Sequence, residues 1–328
     1  MFKIIADSTC DLSDEVLKQY DIGIAPLSIV AGGKSYTDRV DITPDEFYAM
    51  MEGFSQPATT AMPSPEFFVN LMKDAVDQGH REILCITMSS GTSGSYQSAI
   101  IAKDLFDELK LDARVHVVDS LCMSHGSGYL ILKSAHLRAA GMSFDDVVKF
   151  NESFKKHVKH FLSVDDLDNL IRSGRLTNAS AMIGKLLKIK PIMSMRDGKG
   201  AIVAKERGRK RVLAHMIDAF KLRNDPQLTD FIIVGYTSDR AYAENLKQLI
   251  QQETDFEGEI MMMQMGVAVG THVGLGGLSM YFMEKDRHRD GLLTNELENI
   301  KRAQNEMKQR LEEFTKQQIE EFSKRKNQ

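Results

Sequence analysis

Tryptophan is absent from this chain, cysteine occurs only three times, and no apolar run reaches the length that spans a bilayer. Cys10, Cys85 and Cys122 form no C-x-x-C pair, and an odd count without a secretory leader points to a reducing cytoplasm rather than a disulfide scaffold. The opening MFKIIADST lacks the charged-then-apolar pattern of a signal peptide. No His, Cys or carboxylate cluster has ligand spacing, so a metal is not expected. Excess charge is also missing. Lys and Arg number 42 against 46 Asp and Glu, a net −4, which gives no electrostatic reason to expect nucleic acid or an anionic membrane.

Several catalytic signatures are missing too. Gly91-Thr92-Ser93-Gly94-Ser95 lacks the spacing of a G-x-S-x-G nucleophile elbow, and no Lys follows its glycines, so it is not a phosphate-binding P-loop. Gly33-Lys34-Ser35 has the tail of a P-loop, but Ser28 stands where the opening glycine belongs. Asp7-Ser8-Thr9 lacks the second Asp of a D-x-D site. No G-x-G-x-x-G follows a strand.

What is present centres on Glu82 to Ala102. Ile83 to Met88 is a short β-prone apolar run that reads as a buried parallel strand. Ser89 to Ser95 is a loop of hydroxyls and glycines, and from Tyr96 to Leu109 apolar residues recur at helical spacing. Such a loop at a helix start offers unpaired N–H groups to an anion, or serves simply as an N-cap and tight turn. Upstream, Lys3 to Ala6 reads as a strand ending at Asp7. Ser13 caps a helix from Asp14 to Tyr20, and Ile22 to Val30 is one apolar segment with Lys34 to Val40 as its hairpin partner. Thr43-Pro44 starts a helix running to about Glu52. Ala58 to Glu66 reads as a proline-stiffened loop, from which Ser64 and Pro65 begin a helix to Gln78. Ala113 to Asp119 is a further strand. Small residues Ser124 to Gly128 precede a helix from Leu130 to Ala140. This alternation predicts an α/β unit over 1–157, a parallel sheet with helices on both faces. Asp7, the Thr60 loop, Ser90 to Ser95 and Ser120 to Ser124 would converge at its strand ends.

From Lys159 the pattern changes, and 158–283 reads as an α+β unit. Strands are expected at His160–Val164, Lys188–Met195, Ala201–Glu206, Phe231–Gly235 and Glu259–Gln264. Helices are expected at Asp166–Ile171, Asn178–Leu187, from the basic stretch to Leu222, and at Arg240–Gln252. Asp197-Gly198 is a hairpin turn. Met265 to Gly274 reads as a glycine-dense loop around His272, a residue that serves either as a hydrogen-bonded structural group or in a site. Arg207 and Arg209 stand where cations oppose a helix dipole, so an anionic partner or nearby acids would explain them. Residues 284–328 form a helical tail. Leu293, Leu297, Ile300, Met307, Leu311 and Phe314 mark a heptad seam, with Gln304 and Gln318 filling skipped positions. The seam either packs back on the body or zips a homodimer over 293–318. The 19 methionines are read as ordinary core packing.

These pieces together resemble the DegV family. The resemblance rests on Asp7-Ser8-Thr9, Thr60 to Ser64, the run SSGTSGSYQS from Ser89 to Ser98, Val118-Asp119-Ser120, Ser173-Gly174-Arg175-Leu176 and Gly270-Thr271-His272-Val273-Gly274, in order over roughly 1–283. It implies a bacterial, cytoplasmic, two-domain protein that binds a long-chain fatty acid. It further implies presentation of the carboxylate to a separate ATP-dependent fatty acid kinase subunit, whose acyl phosphate feeds phospholipid synthesis. On that basis Thr60, Ser93 and His272 would hold the carboxylate, with Arg175, Ser90, Thr92, Gly94, Asp7 and Ser120 supporting, and Arg207 and Arg209 meeting the partner or phosphate. No cofactor is implied beyond the lipid, and the chain would not itself be an enzyme. Ala61 and Met62 stand where the family usually has Ser and Gln, and Leu275 where it has Pro. A lipid sensor or transport protein without a kinase partner, and a hydrolase using Ser93, are the alternative readings.

Overall fold

The computed structural model describes residues 1–176, 189–285 and 307–308. Strand β1 (Lys3–Asp7) lies at the centre of a four-stranded parallel sheet with β2 (Ile22–Ala25), β6 (Glu82–Thr87) and β7 (Arg114–Asp119), in the order β2-β1-β6-β7. Alternation along the strands sorts two apolar faces. Ile5, Ile83, Cys85 and Val117 pack against Phe68, Met72, Ala99 and Phe106, from α3 (Pro65–Asp77) and α4 (Ser95–Glu108). Ile4, Ala6, Leu84 and Val118 face α1 (Asp14–Gln19), α5 (His125–Ala139) and α6 (Phe144–Phe154). Because the chain turns one way from β1 to β2 and returns to the other side for β6, the crossover point falls between the ends of β1 and β6. Ligands collect at such a point in open α/β sheets.

Beside this sheet, β3 (Ser28–Ala31), β4 (Lys34–Thr37) and β5 (Thr59–Ala61) form a small antiparallel sheet in the order β4-β3-β5. The segment expected as one run from Ile22 to Val30 is therefore two strands. Pro26 cannot donate to a ladder, and Leu27 N–H turns instead to Ser8 Oγ at 3.0 Å. The expected loop around Thr60 is a strand, with Ile29 paired to Thr60. Helix α2 (Pro44–Met50) opens on a capping box between Thr43 and Glu46.

The second sheet is mixed and six-stranded. It contains β8 (Val158–Ser163), β9 (Ile189–Arg196), β10 (Lys199–Arg207), β11 (Phe231–Tyr236), β12 (Glu259–Gln264) and β13 (Leu278–Met283), in the order β10-β9-β8-β13-β11-β12. One face, with Phe161, Ile192, Val234 and Phe282, is covered by α8 (Arg209–Arg223) and α9 (Arg240–Glu253). The other, with Leu162, Met193 and Tyr281, turns toward the first half of the chain.

Four further elements differ from the sequence expectation. Helix α6 and strand β13 have no counterpart in it, and α5 begins at His125 rather than Leu130. The supposed glycine loop is a helix, α10 (Val267–Val273), whose glycines serve packing. Helix α7 (Asp168–Arg172) matches the expected short helix within a few residues. The helix expected at Asn178–Leu187 lies outside the described residues, as does the tail seam apart from Met307.

Candidate functional site

At the end of β1, Asp7 caps a tight turn over Ser8–Cys10. Its Oδ1 accepts from Thr9 N–H at 3.1 Å and its Oδ2 from Met88 N–H at 2.9 Å, across the gap to the end of β6. Burial pushes its carboxyl above the ordinary value. Asp7 thus joins the two strand ends, while Thr9 and Met88 line the cavity beside them.

The hydroxyl loop is held from three sides. Ser89 N–H donates to Cys122 O at 2.8 Å, and Ser89 Oγ donates to Gly198 O at 2.6 Å in the β9–β10 hairpin turn. Gly91 fits beneath that turn, where a Cβ would stand 2.5 Å from Gly198 O. Ser90 points away, its N–H and hydroxyl both donating to Asp119. Ser120 Oγ accepts from Cys122 N–H at 3.1 Å. Gly94 occupies the N-cap of α4, with Met62 Sδ where a side chain would begin. Ser90, Gly94, Ser120 and Asp7 frame the loop and do not line the cavity. Thr92 and Ser93 do line it, and Ser93 Oγ accepts from Ser95 N–H at 3.2 Å.

Opposite this loop stands α10. Gly266 N–H donates to Asp11 Oδ1 at 2.9 Å, and Tyr48 Oη donates to Met265 O at 2.9 Å. Tyr48 Oη lies where a Cβ on Gly270 would be, so the helix seats only with glycine there. Its last turn brings His272 Nε2 to 2.9 Å from Thr60 Oγ1. Burial, assisted by the nearby Arg175 charge, pushes the His272 imidazole down to about 4, so it is neutral near pH 7. Arg175 itself donates from Nε to Thr92 O at 3.2 Å.

These residues surround a cavity between the two halves that holds ≈ 850 Å³ of empty space, its mouth included. Its wall is overwhelmingly apolar: Leu27, Leu162, Leu170, Leu176, Ala268, Val269 and Val273, with the methionines Met88, Met123, Met193, Met195 and Met265. Thr60, Arg175 and His272 also line a surface cleft with Thr59, Arg172 and Ser173, so they stand where the cavity meets the outside. The methionine wall was the part that sequence reading passed over. An abundance of methionine was visible, but not that five of them would gather on one cavity.

Arg207 and Arg209 do not reach this site. Arg209 is held by Asp239 and by Asp165 Oδ2 at 2.8 Å, with its guanidinium 4.6 Å from the Tyr242 ring centre. Nearby acids thus account for its place at a helix start. Arg207 is exposed at the end of β10. Among the described residues, no group of three His, Cys, Asp or Glu could hold a metal ion, and no helix is long and apolar enough to cross a membrane.

Comparison with known proteins agrees with this geometry. A DegV family model, described as an uncharacterised protein family, matches residues 1–285. A DegV domain-containing protein of Clostridium acetobutylicum is 35% identical over 283 residues, covering 86% of this chain and 98% of that protein. One from Caldanaerobacter subterraneus is 31% identical, with the same coverage of each. Among solved structures, a DegV family protein from Thermus thermophilus, described by its fatty acid binding, superposes with a TM-score of 0.77 at 27% identity, over 87% of this chain and 99% of that one. A stearic acid-binding protein from Eubacterium ventriosum reaches 0.75 at 28%, with the same coverage. The family model spans the strands, hydroxyl loop and α10 that build the cavity, and on that match and the 35% identity to a curated member the chain belongs to the DegV family.

Proposed function

We propose that this protein binds a long-chain fatty acid in the cavity between its halves, with the carboxylate at Thr60, Ser93 and His272 and the acyl chain along the methionine-rich wall. The observation that carries the reading is the lining itself, a leucine- and methionine-rich wall with Thr60, Arg175 and His272 gathered where it meets the outside. Each buried methylene contributes about 0.8 kcal/mol, so chain length supplies most of the affinity. Hydrogen bonds to the charged head, about 1.5–3 kcal/mol each at most, set its direction. Similarity to structures described as binding fatty acids supports the same ligand class.

A head group at the mouth is suited to being handed on. The finer proposal is that this chain is the binding subunit of a fatty acid kinase system in the cytoplasm. It presents the carboxylate to a separate ATP-dependent subunit for conversion to acyl phosphate, with Arg175 at the mouth facing the incoming partner. A hydrolase gains no support, because His272 is engaged by Thr60 and Ser93 Oγ by Ser95, so no serine–base pair is assembled. A sensor or carrier without a kinase would use the same cavity.

Native mass spectrometry of the purified chain incubated with long-chain fatty acids tests the first step. One acid bound per chain is expected, with Thr60→Val combined with Ser93→Ala weakening binding at least tenfold. An unshifted mass would overturn the reading. Acyl phosphate formed only when this protein, a kinase subunit and ATP are all present would distinguish the kinase role from that of a sensor.

A further inference from the structure

The chain continues past the family-matched region through residues 286–328, whereas the matched stretch already covers 98% of the Clostridium relative. Two residues of this extension, Met307 and Lys308, are described, and both sit against the body. Met307 is 5% exposed and belongs to one apolar group with Leu228, Phe231 and Met263 of the second half and Leu130 and Phe154 of the first. Lys308 Nζ lies 2.9 Å from Asp225 Oδ2, and the Asp225 side chain is only 6% exposed.

We propose that Met307 and Lys308 anchor the extension to the chain's own body, across the seam between the two halves. The receiving surface is built in advance. Asp225 Oδ1 accepts from Gln227 N–H at 3.0 Å and Asp225 N–H donates to Met283 O at 2.9 Å, so the carboxylate is fixed beside the end of β13 with one oxygen left for Lys308. The unbranched thioether of Met307 is suited to filling irregular apolar space in the group it joins. Met307 is also a member of the apolar heptad face of the tail. A side chain buried in the body cannot at the same time serve a zipper between two copies. The apolar group it joins holds residues of both halves, so the anchor ties them to each other.

Hydrogen exchange and sedimentation velocity on the full chain, both without added ligand, test this separately from fatty acid binding. The parent should sediment as a monomer at every concentration. Met307→Asp and Lys308→Glu should each raise exchange of the 228–231 amides at least tenfold, leaving the β1 and β6 amides unchanged, while Lys308→Arg behaves as the parent. Lys308→Glu changes a partly exposed side chain and keeps the test open if Met307→Asp fails to fold. Unchanged exchange in Lys308→Glu, or a concentration-dependent dimer, would overturn the proposal.

Discussion

At the residue scale, Thr60 and His272 form a hydrogen-bonded pair at the mouth, and the proposed carboxylate would meet it there. The imidazole, pushed down to about 4, is neutral in the unliganded protein. A carboxylate placed beside it favours the charged form, so binding raises the histidine pKa and takes up part of a proton. Acyl affinity is therefore expected to rise as pH falls through the bound-state value, by no more than tenfold per pH unit, and to be flat above it. Titration calorimetry from pH 5.5 to 8 in buffers of different ionisation heat would read the proton directly, and His272→Gln should remove it. Unchanged proton uptake in that variant would assign it elsewhere. Thr60, Thr92, Ser93, Arg175 and His272 were all legible as polar residues in small-residue stretches at element ends. Ser90 and Ser120 carry the same signal but point away. A hydroxyl-rich loop shows where polar groups gather, not which way each one turns.

At the scale of elements, α10 illustrates what one-dimensional pattern misses. Glycines at 266, 270 and 274 suggest a loop, because glycine is a poor helix former. Here packing overrides that preference: Gly270 lets the helix rest on Tyr48. Gly270→Ala should cost about 1–3 kcal/mol, the usual range for overfilling a packed site, and should shift His272 away from Thr60. Tyr48→Phe in the same chain should recover part of that loss, since it removes the oxygen the new methyl meets. Urea denaturation of the double-mutant cycle checks this, and strictly additive costs would refute it. Strand β13 went unread for another reason. It sits between β8 and β11 with all six residues buried, so no alternation of polar and apolar positions marks it, and Ser279 interrupts its apolar run. The parallel strands β1, β6 and β7 were legible because turn residues and helical spacing separate them.

At the scale of the molecule, the two halves meet through buried polar groups as well as apolar ones. Asp11, from the turn after β1, accepts from Gly266 N–H of the second half and from Ser124 Oγ at 2.6 Å. Burial pushes its carboxyl up to about 8, and that of nearby Asp38 up to about 6. A raised carboxyl means that the native state holds the proton more tightly, so this contribution is complete below about pH 4 and lost as pH rises toward 8. Buried His125 and His272, pushed down to about 3 and 4, act in the opposite sense below their ordinary value of 6.5. The Asp11 effect is therefore read cleanly between pH 6.5 and 8, where stability should fall with pH. Asp11→Asn, which mimics the protonated group, should flatten that slope in urea midpoints; an unchanged slope would place the titrating group elsewhere. None of this was legible in the sequence, since burial of a carboxylate depends on which loop of the other half comes to cover it.

The bond between Thr60 and His272 has a consequence for competition in the cell. With the two side chains already satisfying each other, an arriving carboxylate must displace one of them, so its net gain is smaller than its new hydrogen bonds alone would give. Acetate or amino acids, far more abundant than free lipid but with no chain to bury, would have nothing to offset that exchange. On the proposed reading, the mouth would stay clear of common small acids without any steric gate, and selection would fall to the length of the hydrocarbon attached to the head group.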